Sequence, residues 1–159
     1  MPRPIESPQF WEQRIKEAAE GRDSRCIFYQ ATPYVWDEID KAHKKIIQEN
    51  VNGKVLDAGC GLGRISEWIN GEYIGVDLMP FFIEKARILY PEREFLVADL
   101  RKLPFKDKEF DWAICLSIKG MMIRDLGKEE WQKMETELKR VSKKILILDY
   151  NNPEQCEIL

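Results

Sequence analysis

The sequence predicts an α/β protein built on a mostly parallel sheet. From Gly53 onward, short apolar runs alternate with helical stretches, the pattern left by strands joined through right-handed crossover helices. Directly after the first apolar run, glycines recur at every second position as Gly59, Gly61 and Gly63. Asp57, Asp77 and Asp99 stand at the ends of successive runs, and in parallel sheets ligands sit beyond the carboxyl ends of the strands.

The elements follow in order. Ser7 and Pro8 read as the cap and first position of a helix that carries Trp11, Ile15 and Ala18 or Ala19 on one face until Gly21. Thr32-Pro33 opens a second helix, with Val35, Ile39, Ala42 and Ile46 at helical spacing, and the stretch 50–53 ends it. Strands are expected at 54–58, 72–76, 95–98, 110–116 and 145–148, and helices at 62–69, 80–89 and 128–141. The stretch 100–107 reads as a loop. The run KKILILDY has the apolar character of a strand paired on both edges, yet only NNPEQCEIL follows it. The last residues, 155–159, can supply at most one short edge strand, and an open apolar edge invites a second chain. The expectation is therefore fold-back of the C-terminal residues or, as the favoured version, a homodimer through the fifth-strand edge.

Composition limits the function. The 159 residues suit one compact domain, and 44% hydrophobic with 33% charged residues rules out wholesale disorder. No run approaches the roughly 18 apolar residues needed to span a membrane, and MPRPIESPQF has no apolar signal core, so a cytoplasmic protein is expected. The formal net charge of −3 weighs against nucleic acid as a partner, although a local patch would suffice for it. The cysteines Cys26, Cys60, Cys115 and Cys156 form no C-x-x-C pair, and His43 is the only histidine, so no metal site is expected. His43, within AHKKII, reads as a surface residue. The basic groups Lys41, Lys44, Lys45 and Lys139, Arg140, Lys143, Lys144 read as solvated faces.

The chemistry concentrates in VLDAGCGLGRIS, residues 55–66. Glycines permit positive φ and close approach of a ligand to the backbone, and a following helix N-terminus favours an anionic group. A dinucleotide fingerprint G-x-G-x-x-G fails here: counted from Gly59 its last position is Arg64, and from Gly61 it is Ser66. D-A-G-C-G-L-G instead resembles the cofactor loop of class I S-adenosylmethionine-dependent methyltransferases, of the small-molecule, type 11-like kind. YIGVDLMP, FLVADLRKLPF and FKDKEFDWAICLSI resemble that family's next three segments in order and spacing, so the resemblance covers about 53–150.

The resemblance implies a doubly wound, Rossmann-like sheet of strand order 3-2-1-4-5, with the usual C-terminal hairpin missing or minimal. It implies a cofactor-binding domain over 53–159 and an N-terminal helical lid over 1–52. Asp57, Gly59, Cys60 and Gly61 would line the methionine part of S-adenosylmethionine, and Asp77 would accept hydrogen bonds from both ribose hydroxyls. Leu78 would pack on adenine, Asp99 and Leu100 would meet its edge, and Leu116 and Ser117 would flank the transferred methyl group. Arg64 reads either as a ligand of the cofactor carboxylate or as a solvated arginine. Tyr29, Tyr34, Trp36 and Lys119 are the candidates for the acceptor side, and no catalytic base is named. SIKGMM stands where exocyclic-amine nucleic-acid methyltransferases carry N-P-P-[YF], which leaves a small molecule, a protein or RNA as acceptor; the neutral-to-acidic charge and the resemblance of FDWAICLSI to small-molecule members favour a small molecule. A non-catalytic partner subunit that binds the same cofactor is the alternative.

Overall fold

The computed structural model describes residues 8–19 and 33–159. Helices α1 (Pro8–Ala19) and α2 (Pro33–Asn50) precede strand β1 (Val55–Ala58). Then come β2 (Tyr73–Asp77), α3 (Pro80–Leu89), β3 (Glu94–Val97), β4 (Phe110–Leu116), α4 (Ile118–Asp125), α5 (Lys128–Val141), β5 (Ser142–Leu148) and β6 (Cys156–Ile158). The expected caps Ser7 and Thr32 lie outside the described residues, but both helices begin at the proline the sequence marks. Among the described residues no helix is long and apolar enough to cross a membrane.

The sheet order is β3-β2-β1-β4-β5-β6, with the first five strands parallel as expected and β6 antiparallel to β5. Alternation along β1 and β4 divides the core between the two faces. Leu56, Ala58, Ala113 and Cys115 face Trp131, Met134 and Leu138 of α5. Val55, Trp112 and Ile114 face Ile47 of α2, Ile83 and Ala86 of α3 and Trp68. A smaller cluster of Trp11, Met79 and Phe82 ties α1 to the start of α3.

Four features depart from the sequence reading. The helix expected at 62–69 is a short 3₁₀ turn, Arg64–Trp68, entered from Gly63 at φ 77°. Its few residues are caught between that left-handed glycine and the bend at Asn70-Gly71, too short a span for α-helical propagation. No helix is expected from the sequence directly after the fourth strand, yet Ser117 takes the cap position and Ile118 opens α4, in which Ile118, Met121 and Met122 recur at helical spacing. Strand β5 starts earlier than its apolar run: Phe110 lies opposite Ser142, and Lys143 reaches Asp111 at 2.7 Å. Finally, the edge of β5 proposed for a homodimer is occupied within the chain, because Leu146–Leu148 pair with Cys156–Ile158 and Ile145 exchanges 2.9 Å backbone bonds with Leu159. The last residues reach this edge because a turn at 149–155 reverses the chain immediately after β5.

Candidate functional site

The carboxyl ends of the central strands open into a cavity of about 410 Å³. Its floor is the glycine loop. Gly59 N–H and Cys60 N–H both donate to Val76 O at 2.8 Å, which draws the loop across to β2. Gly59 has φ 78°, and a Cβ there would fall 2.4 Å from the Ile118 side chain, so conformation and space both require glycine.

Asp77, the last residue of β2, binds the loop with its carboxylate. Oδ2 accepts from Gly61 N–H and Oδ1 from Met79 N–H, both at 2.9 Å. Burial raises its pKa, and those backbone bonds work against the rise. Each oxygen keeps a further lone pair for a ligand. Beneath the loop, Asp57 is buried and accepts a 2.6 Å hydrogen bond from the Tyr73 hydroxyl. Burial pushes the Asp57 carboxyl up to about 7, against the pull of that bond and of the Arg64 charge. The Cys60 thiol is buried with its sulfur toward Gly61 O, and burial raises its pKa far above that of a reactive thiol.

Asp99 follows β3 and lies in a fork of Arg101, with Nη2 to Oδ2 at 2.8 Å and Nε to Oδ1 at 2.9 Å. That pairing lowers its pKa and keeps it anionic. Arg101 reaches on to Glu130 of α5 at 3.0 Å. Leu78, Leu100, Leu116 and Ser117 also line the cavity. Gly61 does not; its N–H is bonded to Asp77. Thus nine of the ten expected cofactor residues share one cavity.

The expected acceptor residues do not gather there. Tyr29 lies outside the described residues. Tyr34 is 74% exposed on α2 and is absent from the lining, because its helical position faces solvent. Trp36 is fully buried behind the wall, with its ring edge-on to Tyr150 at 4.8 Å. Lys119 turns to an ion pair with Glu157 and lines a shallow depression beside the cavity.

His43 is not a surface residue. It is fully buried, and its Nε2 bonds Asp149 O at 3.2 Å; a carbonyl only accepts, so Nε2 carries the proton. Burial lowers its pKa. Arg64 is not a solvated arginine either: it pairs with Asp40, donates to the Tyr150 hydroxyl at 3.1 Å and lies over the Trp36 and Trp68 rings. Arg64 also lines the cavity, with Trp11 of α1, Phe82 of α3, Gly120, Met121 and Met122 of α4, Met134 of α5, and Asp149–Tyr150–Asn151 after β5. The sequence carried a signal for Asp149, which ends the fifth strand as Asp77 ends the second. It carried none for Trp11, whose helical spacing reads as core.

Comparison with known proteins gives a consistent picture. A family model described as a methyltransferase domain matches residues 56–146. The malonyl-[acyl-carrier protein] O-methyltransferase of Yersinia pestis is 28% identical over 106 residues, which are 65% of this chain and 36% of that protein. The chain therefore spans about a third of that relative. A crystal structure from Pyrococcus horikoshii superposes with a TM-score of 0.62 at 28% identity, covering 72% of this chain and 57% of the other. A TehB-like S-adenosylmethionine-dependent methyltransferase from Corynebacterium glutamicum shares the fold, with a TM-score of 0.60, 24% identity and coverage of 89% and 73%.

Proposed function

The chain belongs to the methyltransferase domain family, and from that premise we propose that it transfers a methyl group from S-adenosylmethionine to a small-molecule acceptor. S-adenosylmethionine is the cofactor of this family. The observation that carries the reading is the meeting of Asp57, Gly59, Asp77 and Asp99 around one cavity, whose volume lies within the roughly 300–1,000 Å³ usual for such ligands.

The residues fit that cofactor. Asp77 is an acceptor held at a fixed angle by Gly61 and Met79, suited to a pair of ribose hydroxyls. Leu78 and Leu100 would enclose adenine, and Asp99 would accept from its amino group. Gly59 and Cys60 would bring backbone close to the methionine portion, Gly61 would hold Asp77 in place, and Asp57 would lie beneath the loop. Leu116 and Ser117 would flank the methyl group. The bound cofactor supplies an electrophilic methyl group on a sulfonium with a neutral leaving group. The protein's own contribution is alignment and exclusion of water.

A small acceptor is favoured by the enclosed apolar wall of Trp11, Phe82, Met121 and Met134. The basic cluster at 139–144 is also largely spoken for: Lys139 pairs with Glu135, Arg140 with Glu137 and Asp107, and Lys143 with Asp111. Trp11 in the lining supports residues 1–52 as a lid over a cofactor domain of residues 53–159. Titration calorimetry tests the proposal: S-adenosylmethionine and S-adenosylhomocysteine are expected to bind and NAD is not. Binding of NAD, with neither sulfur compound bound at sub-millimolar concentration, would overturn it.

A further inference from the structure

The fourth and fifth strands end side by side: Leu116 lies opposite Leu148, and Ser117 N–H donates to Leu148 O at 2.7 Å. The next residue, Asp149, therefore stands beside Ser117, the residue read above as flanking the transferred methyl group. Asp149 lines the main cavity and also the adjoining depression, and Gly120 is the other residue common to both. Its carboxylate is anchored at one end, where Oδ1 accepts from Asn151 N–H at 2.8 Å and from Asn151 Nδ2 at 2.9 Å. Its main-chain carbonyl is fixed by His43. Oδ2 has no protein donor among the described residues and looks across Gly120, where a Cβ would approach it to 3.2 Å. A bare hydrogen at position 120 keeps that oxygen open.

We infer that Asp149 is the proton acceptor of the reaction, and that the methyl acceptor is an amine or hydroxyl that presents its N–H or O–H to Oδ2. The inference rests on the cofactor reading above. In the step, the lone pair of the nucleophile forms the bond to the methyl carbon. The carbon–sulfur bond breaks with its electron pair passing to sulfur, and the proton shed by the nucleophile passes to Asp149 Oδ2. A carboxylate with one oxygen tethered and the other unoccupied has the fixed aim and the free lone pair that a general base requires. A carboxylate acceptor would shed no proton and would be repelled.

The cofactor analogue sinefungin tests this without knowledge of the acceptor, because a primary amine on carbon takes the place of its methylated sulfur. Its ammonium then occupies the region of the methyl group and would be held by Asp149. Wild-type protein is expected to bind sinefungin more tightly than S-adenosylhomocysteine. Asp149→Asn should weaken sinefungin by about tenfold or more and S-adenosylhomocysteine by less than about twofold. Gly120→Ala, placed in a helix at ordinary backbone angles, should also lower the sinefungin preference by crowding Oδ2. It decides the matter if Asp149→Asn does not fold. An unchanged ratio of the two affinities, with S-adenosylhomocysteine still bound, overturns the role of Asp149 alone. Failure of the wild-type protein to bind either compound overturns the cofactor reading and this inference together.

Discussion

Asp77 serves two purposes with one carboxylate. Its position at a strand end is legible in YIGVDLMP, and that alone suggests a side chain with little structural weight. The structure adds that both oxygens already hold backbone N–H groups of the glycine loop and of the α3 entry. Asp77→Ala should therefore cost cofactor affinity and some stability together. Loss of charge-assisted bonds to two ribose hydroxyls is expected to weaken S-adenosylhomocysteine by roughly 30-fold or more. The freed N–H groups should lower folding stability by about 1–2 kcal/mol. Calorimetry and denaturant unfolding on the same variant check both, and unchanged affinity would reduce Asp77 to a turn residue. Arg64 and His43 show the opposite case. A helix arginine and a histidine within AHKKII both suggest solvent, yet both are held by residues far along the chain, Tyr150 and Asp149.

Among the elements, β6 has the largest consequence for its size. It is a three-residue strand with exposed side chains, yet it meets the backbone of the apolar half of β5. A short outer strand bearing Glu157 is a poor template for further pairing, so it also blunts the edge it creates. Removal of residues 156–159 is expected to expose Leu146–Leu148 and to produce concentration-dependent association in light scattering, which is not expected of the intact chain through this edge. Equal scattering masses for the two chains would contradict this role. The strands and the helices α3 and α5 follow from periodicity alone. The 3₁₀ turn and α4 do not, because glycines stand inside or beside both, and local propensity there is overruled by packing on the sheet.

At the scale of the molecule, two buried ionisable groups set opposite limits on stability. The native Asp57 carboxyl titrates near 7, up from 3.8, so its contribution is fully present at low pH and is lost as pH rises through about 7. His43 is lowered from 6.5, so its contribution is present above that value and is lost as pH falls. Asp57→Asn keeps an acceptor for Tyr73 while removing the charge, and should gain melting temperature relative to wild type at pH 8 more than at pH 5. Parallel melting profiles across that range would refute it. The sequence by itself determined the strands, the glycine loop and the carboxylates at strand ends, because these are written in periods of two and in spacings of a few residues, whereas the strand order followed only from the family resemblance. The tertiary structure alone decided that Trp11 lines the cavity, that β6 pairs with the edge of β5, that Arg64 meets Tyr150 and that His43 meets Asp149. Each of those depends on contacts between segments distant in sequence, such as the 106 residues between His43 and Asp149, and no local pattern encodes which distant surfaces will be buried together.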